Sequence, residues 1–123
     1  MLDDQQLMAF VATARADEAL VFYRDLLGLH FVADEYVALV FESNGVMLRI
    51  QKVPEHQALP YTALGWKVHD IASKVAELAR RGARFERFSG MAQDEQGIWA
   101  SPSGARVAWF KDPDGNLLSL SEF

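Results

Sequence analysis

Apolar residues in this chain fall into two rhythms, a strand-like alternation and a helical stripe, and the chain passes through both of them twice. Over residues 6–13, Leu7, Ala9 and Val11 alternate with Met8, Phe10 and Ala12, the pattern of a buried strand. From residue 19 to 27 the spacing becomes helical: Leu20, Tyr23 and Leu27 form a stripe that Phe22 and Leu26 widen. Asp17 is the expected N-cap of that helix, and Gly28 the left-handed residue that ends it. Strands are expected over residues 29–33, 36–42 and Val46–Lys52, with turns at Asp34-Glu35 and Ser43-Asn44-Gly45.

A polar connector over residues 54–60 follows, and then the plan repeats. Residues 61–68 read as a strand, with Leu64, Trp66 and Val68 on one side. Asp70 caps a helix over residues 71–81 whose stripe is Ile71, Val75, Leu78 and Ala79, and which stops at Gly82. Residues 84–88 read as a strand, and 98–100 and Arg106–Lys111 flank the hairpin signature Ser101-Pro102-Ser103-Gly104. Residues 117–121 supply the closing strand. The pattern predicts an α+β fold of two βαβββ units, residues 1–53 and 61–123, within one domain.

Composition narrows the function classes. The chain has 123 residues, half of them hydrophobic, which suits one compact domain. Seventeen acidic against twelve basic residues leave a net charge of −5, which argues against a general nucleic-acid surface. The cluster Arg80, Arg81, Arg84 and Arg87 is explained by the helix C-terminus, where the dipole favours cations. Without cysteine there is neither a disulfide nor a thiolate nucleophile, and a reducing cytoplasm fits. The start, Met1-Leu2-Asp3-Asp4, is unlike a secretory leader, and no apolar run approaches the ~20 residues that span a bilayer. The expectation is a soluble cytoplasmic protein with no nucleic-acid or membrane partner.

Two motifs carry a family resemblance. Asp112-Pro113-Asp114-Gly115-Asn116, between Ala108-Trp109-Phe110-Lys111 and Leu117-Leu118, resembles the C-terminal signature of the vicinal oxygen chelate superfamily. This is the glyoxalase I, bleomycin-resistance-protein and extradiol-dioxygenase group. The stretch from Leu20 to Leu29 is similar to the helix that ends the family's first βα element. The resemblance implies curled sheets with their helices outside, a cleft shared by the units, and a homodimer. In members that use a metal it implies ligands, usually His, Gln or Glu, on the first and last strands of each unit. Carried over by position, those places hold Met8, Arg49, Ala63 and Ser119. A thioether, a guanidinium, a methyl and a hydroxyl are not the imidazole and carboxylate set that Zn²⁺, Ni²⁺ or Fe²⁺ requires. No metal or other cofactor is expected, and His30, His56 and His69 read as surface or loop histidines.

Strand alternation puts Met47, Arg49 and Gln51 on one face, with Leu48 and Ile50 on the helix side. The cleft-facing set is then Met8, Phe10, Met47, Gln51, Tyr61, Ala63, Lys67, Ser119 and Ser121, an apolar lining with a few polar handles. Arg49 either grips an anionic ligand or forms a structural ion pair, for instance with Glu42. Trp99 and Trp109 belong to the hairpin, where Trp99 is placed to stack a planar ligand at the rim. The resulting expectation is metal-independent binding of a small organic molecule, similar to the bleomycin-resistance branch. The alternative is a glyoxalase- or dioxygenase-like enzyme with an atypical site, using Tyr61, Lys67 or His69 for acid–base work.

Overall fold

The computed structural model describes all 123 residues, which form two compact units, Met1–Gln57 and Ala58–Phe123. The division falls inside the polar connector.

In the first unit the elements are β1 (Met8–Thr13), α1 (Ala16–Val21), β2 (His30–Asp34), β3 (Ala38–Ser43) and β4 (Val46–Lys52). The sheet order is β1-β4-β3-β2, with β1 and β4 parallel and the other pairs antiparallel. A parallel pair needs a long crossover, and here α1, β2 and β3 provide it. One face of the sheet carries Val11, Leu39, Phe41, Leu48 and Ile50, all buried; α1 adds Ala19, and the turn that continues it adds the fully buried Tyr23. The Tyr23 and Phe41 rings lie 6.0 Å apart, and Phe31 stands 5.4 Å from Phe41. Burying a side chain of this size contributes about 1.5–3 kcal/mol, so this aromatic seam is what ties the helix to the sheet.

The helix differs from the sequence expectation at both ends. Its N-cap is Arg15, and Asp17 sits in the first turn without a capping hydrogen bond. The bend into the helix is made instead by Thr13, whose Oγ1 accepts from the Arg15 amide at 3.0 Å. Beyond Val21 the chain widens into a π-helical turn, Phe22–Leu26, closed by the Leu27 amide donating to the Phe22 carbonyl at 2.9 Å. Gly28, at φ 72°, then ends it. The buried pair is therefore Ala19 and Tyr23, four residues apart, while Leu20 and Leu27 are only half-buried. The strand expected at 36–42 begins two residues later, because Glu35, Tyr36 and Val37 make the turn and Tyr36 is almost fully exposed.

In the second unit the elements are β5 (Thr62–Lys67), α2 (Ile71–Arg80), β6 (Trp99–Ala100), β7 (Arg106–Lys111) and β8 (Leu117–Glu122). The order β5-β8-β7-β6 repeats that of the first sheet, again with the unit's first and last strands parallel. Asp70 caps α2 as expected, accepting from the Ser73 amide at 3.2 Å. The Ile71 amide finds Glu122 Oε1 at 2.9 Å, so the last strand satisfies a second free donor of the helix start. Ile71 and Val75 are buried on the side that holds Ala108, Phe110, Leu118 and Leu120, whereas Ala79 is exposed. The Asp112 turn is held as its residues suggest: Oδ1 accepts from the Asp114 and Asn116 amides and Oδ2 from Asn116 Nδ2, each at 2.9 Å.

Residues 84–88 do not form the expected strand. They make a single bridge, Phe85 to Phe110, and the Glu86 amide donates to the Trp109 carbonyl at 2.8 Å. The free edge of β7 is shared: β6 occupies its start, through Trp99–Val107 and Ala100–Arg106, and leaves only the far end. Gln93 satisfies what a ladder would have satisfied. Its Oε1 accepts from the Phe88 amide at 2.8 Å, and Nε2 donates to the carbonyls of Glu86 and Gly97 at 3.0 and 2.8 Å.

Candidate functional site

Each sheet has one face under its helix and one open face, and the expected site residues collect on the open faces. In the first sheet the register pairs Met8 with Met47, Phe10 with Arg49 and Ala12 with Gln51. Directly paired residues share a face, so Met8, Phe10, Met47, Arg49 and Gln51 stand together, as alternation predicted. Met8, Phe10 and Met47 are 44, 55 and 40 % exposed, an unusual degree of exposure for neighbouring large apolar side chains. Arg49 is half-buried and ion-paired, with Nη2 2.8 Å from Glu35 Oε1. The partner comes from the β2–β3 turn. Glu42 lies on the same face, opposite Met47 and His30, and is exposed.

In the second sheet Gly65 pairs with Ser119 and Lys67 with Ser121, and β7 continues the rows with Trp109 and Val107. Trp99 of β6 pairs with Val107. Lys67, Ser119, Ser121 and Trp99 are therefore brought to one open face. Tyr61 and Ala63 are not carried there by the ladder. The pairing shifts between Thr62 and Leu64, which leaves Ala63 as the extra residue of a β-bulge and breaks the alternation that placed it with Lys67. Tyr61 precedes β5 and is exposed.

Sequence reasoning missed three contributors. Glu35 reads as a turn residue, and nothing local marks it as the partner of Arg49. Gly65 stands mid-strand opposite Ser119, and a Cβ there would lie 2.7 Å from Ser119 Oγ; a glycine inside a strand is the signal of such a close approach. Trp109, assigned only to the hairpin, joins an aromatic cluster, tilted against Trp99 at 6.1 Å and edge-on to Phe88 at 5.4 Å. Elsewhere in this unit, on the α2 side, Val75, Ala79, Phe85, Arg87 and Gln96 line a groove of about 310 Å³. Two of its polar side chains are already engaged, Arg87 on the Asp94 carbonyl and Gln96 on that of Ala72.

The open faces hold no constellation suited to a divalent cation. Nowhere in the chain do three His, Asp or Glu side chains come together as a metal set. Met8, Arg49, Ala63 and Ser119, the residues that the resemblance sets at ligand positions, do not fit such an ion by donor chemistry.

Two sheets of parallel-closed βαβββ topology, each with a helix on one face and the other face open, define a class of fold seen in enzymes and in binding proteins alike. The chain belongs to the Glyoxalase/Bleomycin resistance protein/Dioxygenase superfamily, whose family model matches residues 5–120. Among solved structures it is similar to a member of that superfamily from Sphaerobacter thermophilus, at TM-score 0.76 and 21% identity with 100% of each chain covered. It is also similar to a glyoxalase/bleomycin resistance protein from Catenulispora acidiphila, at TM-score 0.70 and 26% identity over 96% of this chain and 97% of that one. A lactoylglutathione lyase from Agrobacterium tumefaciens shares the fold at TM-score 0.70 and 20% identity, over 97% of this chain and 93% of that one. No curated protein matches the chain. No helix is long and apolar enough to cross a membrane.

Proposed function

We propose that this protein binds a small organic molecule without a metal, against the open sheet faces, and acts as a homodimer in the cytoplasm. The observation that carries the reading is the chemistry at the four positions where metal-using relatives hold their ligands. Arg49 puts a positive charge at one of them, opposed by Glu35, and Met8, Ala63 and Ser119 offer no imidazole or carboxylate. The exposed Met8, Phe10 and Met47 support a surface that something covers, whether ligand or second copy. Aromatic, thioether and hydroxyl groups on one scaffold are the usual make-up of a site that sequesters an organic molecule.

Elemental analysis of protein purified without chelator tests the metal-independent part. We expect no transition metal per chain and no uptake from added Ni²⁺, Zn²⁺ or Fe²⁺; a stoichiometric ion would sink it. A thermal-shift panel of small aromatic and aliphatic molecules, charged and neutral, tests binding itself. Binding raises the melting temperature by mass action, and a flat panel would count against the reading.

A further inference from the structure

Two register rows cross the open face of the second sheet. One runs Lys67, Ser121, Val107, Trp99, and the next runs Gly65, Ser119, Trp109. Gly65 presents bare backbone, and the Ser119 hydroxyl leans over it, 2.7 Å from where a Cβ would stand. Ser119 is only 7% exposed, and its side chain makes no hydrogen bond within the chain. Because no fully buried side-chain polar atom in this protein lacks a partner, that hydroxyl opens onto the sheet face. It is a donor and acceptor without a partner in the chain, on a residue more than nine-tenths buried, and it can be reached from the open face.

What flanks the Gly65–Ser119 pair differs on its two sides. On one side Trp109 stands with Trp99 and Phe88 in an aromatic cluster, its ring tilted 38° to that of Trp99, and both tryptophans are only half-buried. On the other is Lys67, exposed and without a carboxylate partner; its Nζ lies only over the Phe123 ring, 5.9 Å from the centroid. The other lysine of this face, Lys111, is already paired with Glu86 at 3.6 Å. Lys67 is therefore the free cation here. In the first sheet, by contrast, Glu35 neutralises Arg49, and Glu42 adds a negative charge.

We propose that this face takes a planar aromatic carboxylate, its ring against Trp109 and Trp99 and its carboxylate held by the Ser119 hydroxyl and the Lys67 ammonium. The inference rests on the small-molecule reading above and narrows it to one class of ligand and one sheet. The strands of Lys67 and Trp109 are two spacings apart, ~10 Å. A fused two-ring acid bridges that interval once the lysine side chain reaches inward.

The test uses 2-naphthoate and its neutral counterpart 2-naphthamide, titrated calorimetrically into the full chain, with amide chemical shifts mapping the site. We expect the acid to bind about tenfold tighter than the amide, the effect of one charge-assisted contact. Shifts should centre on Gly65, Ser119 and Ser121. Lys67→Met should erase the preference while leaving the fold intact, and Ser119→Ala should weaken the acid severalfold. Equal affinity for acid and amide, or shifts centred on Arg49, would overturn the carboxylate site and leave small-molecule binding standing. No binding of either probe also overturns it, and the thermal-shift panel then decides separately whether the broader reading falls.

Discussion

The two open faces are built on the same topology and differ in how each treats its cation. On the first sheet Arg49 is half-buried, bonded to Glu35 and surrounded by Met8, Phe10 and Met47. On the second, Lys67 is exposed and free of any carboxylate, beside two serines, a bare glycine and a tryptophan pair. The first face thus has its cation cancelled, and the second has its cation available. The two units share strand order and helix placement, and their open faces carry different side chains. A shared fold sets where a site is built, and side-chain chemistry decides what occupies it.

The largest effect should come from testing whether the cores are as equivalent as the topology. Phe41 on β3 and Phe110 on β7 are both fully buried, one against Tyr23 and Phe31, the other against Phe85. Phe41→Ala and Phe110→Ala should each cost about 3–5 kcal/mol in urea unfolding. A much smaller loss at one of them would break the equivalence of the halves.

An intermediate effect should appear at Gly65, where the second sheet departs from the first. Gly65→Ala brings a methyl against the Ser119 hydroxyl and should destabilise by about 1–3 kcal/mol. Ser119→Ala removes the opposing oxygen, so the double variant should recover part of that loss, a non-additivity that a double-mutant cycle measures. Additive losses would mean that the close approach is not what excludes a side chain there.

The smallest stability effect and the sharpest test of the comparison come from Glu35→Gln. An ion pair whose carboxylate is half exposed to water contributes about 1 kcal/mol or less, so the melting curve should move little. The first face, however, would gain an unneutralised guanidinium. 2-Naphthoate should then perturb Arg49 and Gln51 as well as the second sheet. If the added charge attracts no anion, cancellation by Glu35 is not what distinguishes the faces.

Much of this fold was legible because period and punctuation agreed. Val46–Lys52 alternates cleanly and is bounded by a Gly turn, and the helix after Asp70 has both its cap and its Gly82 stop. The same alternation placed Met8 and Phe10 beside Met47 and Arg49 before any register was known. What failed depended on tertiary competition. Residues 84–88 have strand composition, but β6 already holds part of the edge they would pair with. Thr13, two residues before the N-cap, turns the chain into the first helix by accepting from the Arg15 amide, whereas by residue type Asp17 is the better cap. Ala63 fell on a bulge, and a single extra residue reverses facing in a strand. The partner of Arg49 was invisible, since Glu35 reaches it only once β2 and β3 have turned.

The parallel pairing of each unit's first and last strands also bears on the order of events in folding. β1 has no sheet neighbour other than β4, and β5 none other than β8. During synthesis Met8 must wait for Met47, and Thr62 for Leu117, so each half stays an open hairpin with a stray strand until its final segment inserts at the centre. Closing such a long loop makes the step slow relative to hairpin formation. In that interval β1 displays Met8, Phe10 and Val11 with unpaired backbone, the condition in which a strand captures a foreign edge. The nascent chain is therefore most exposed to misassembly just before each unit completes itself.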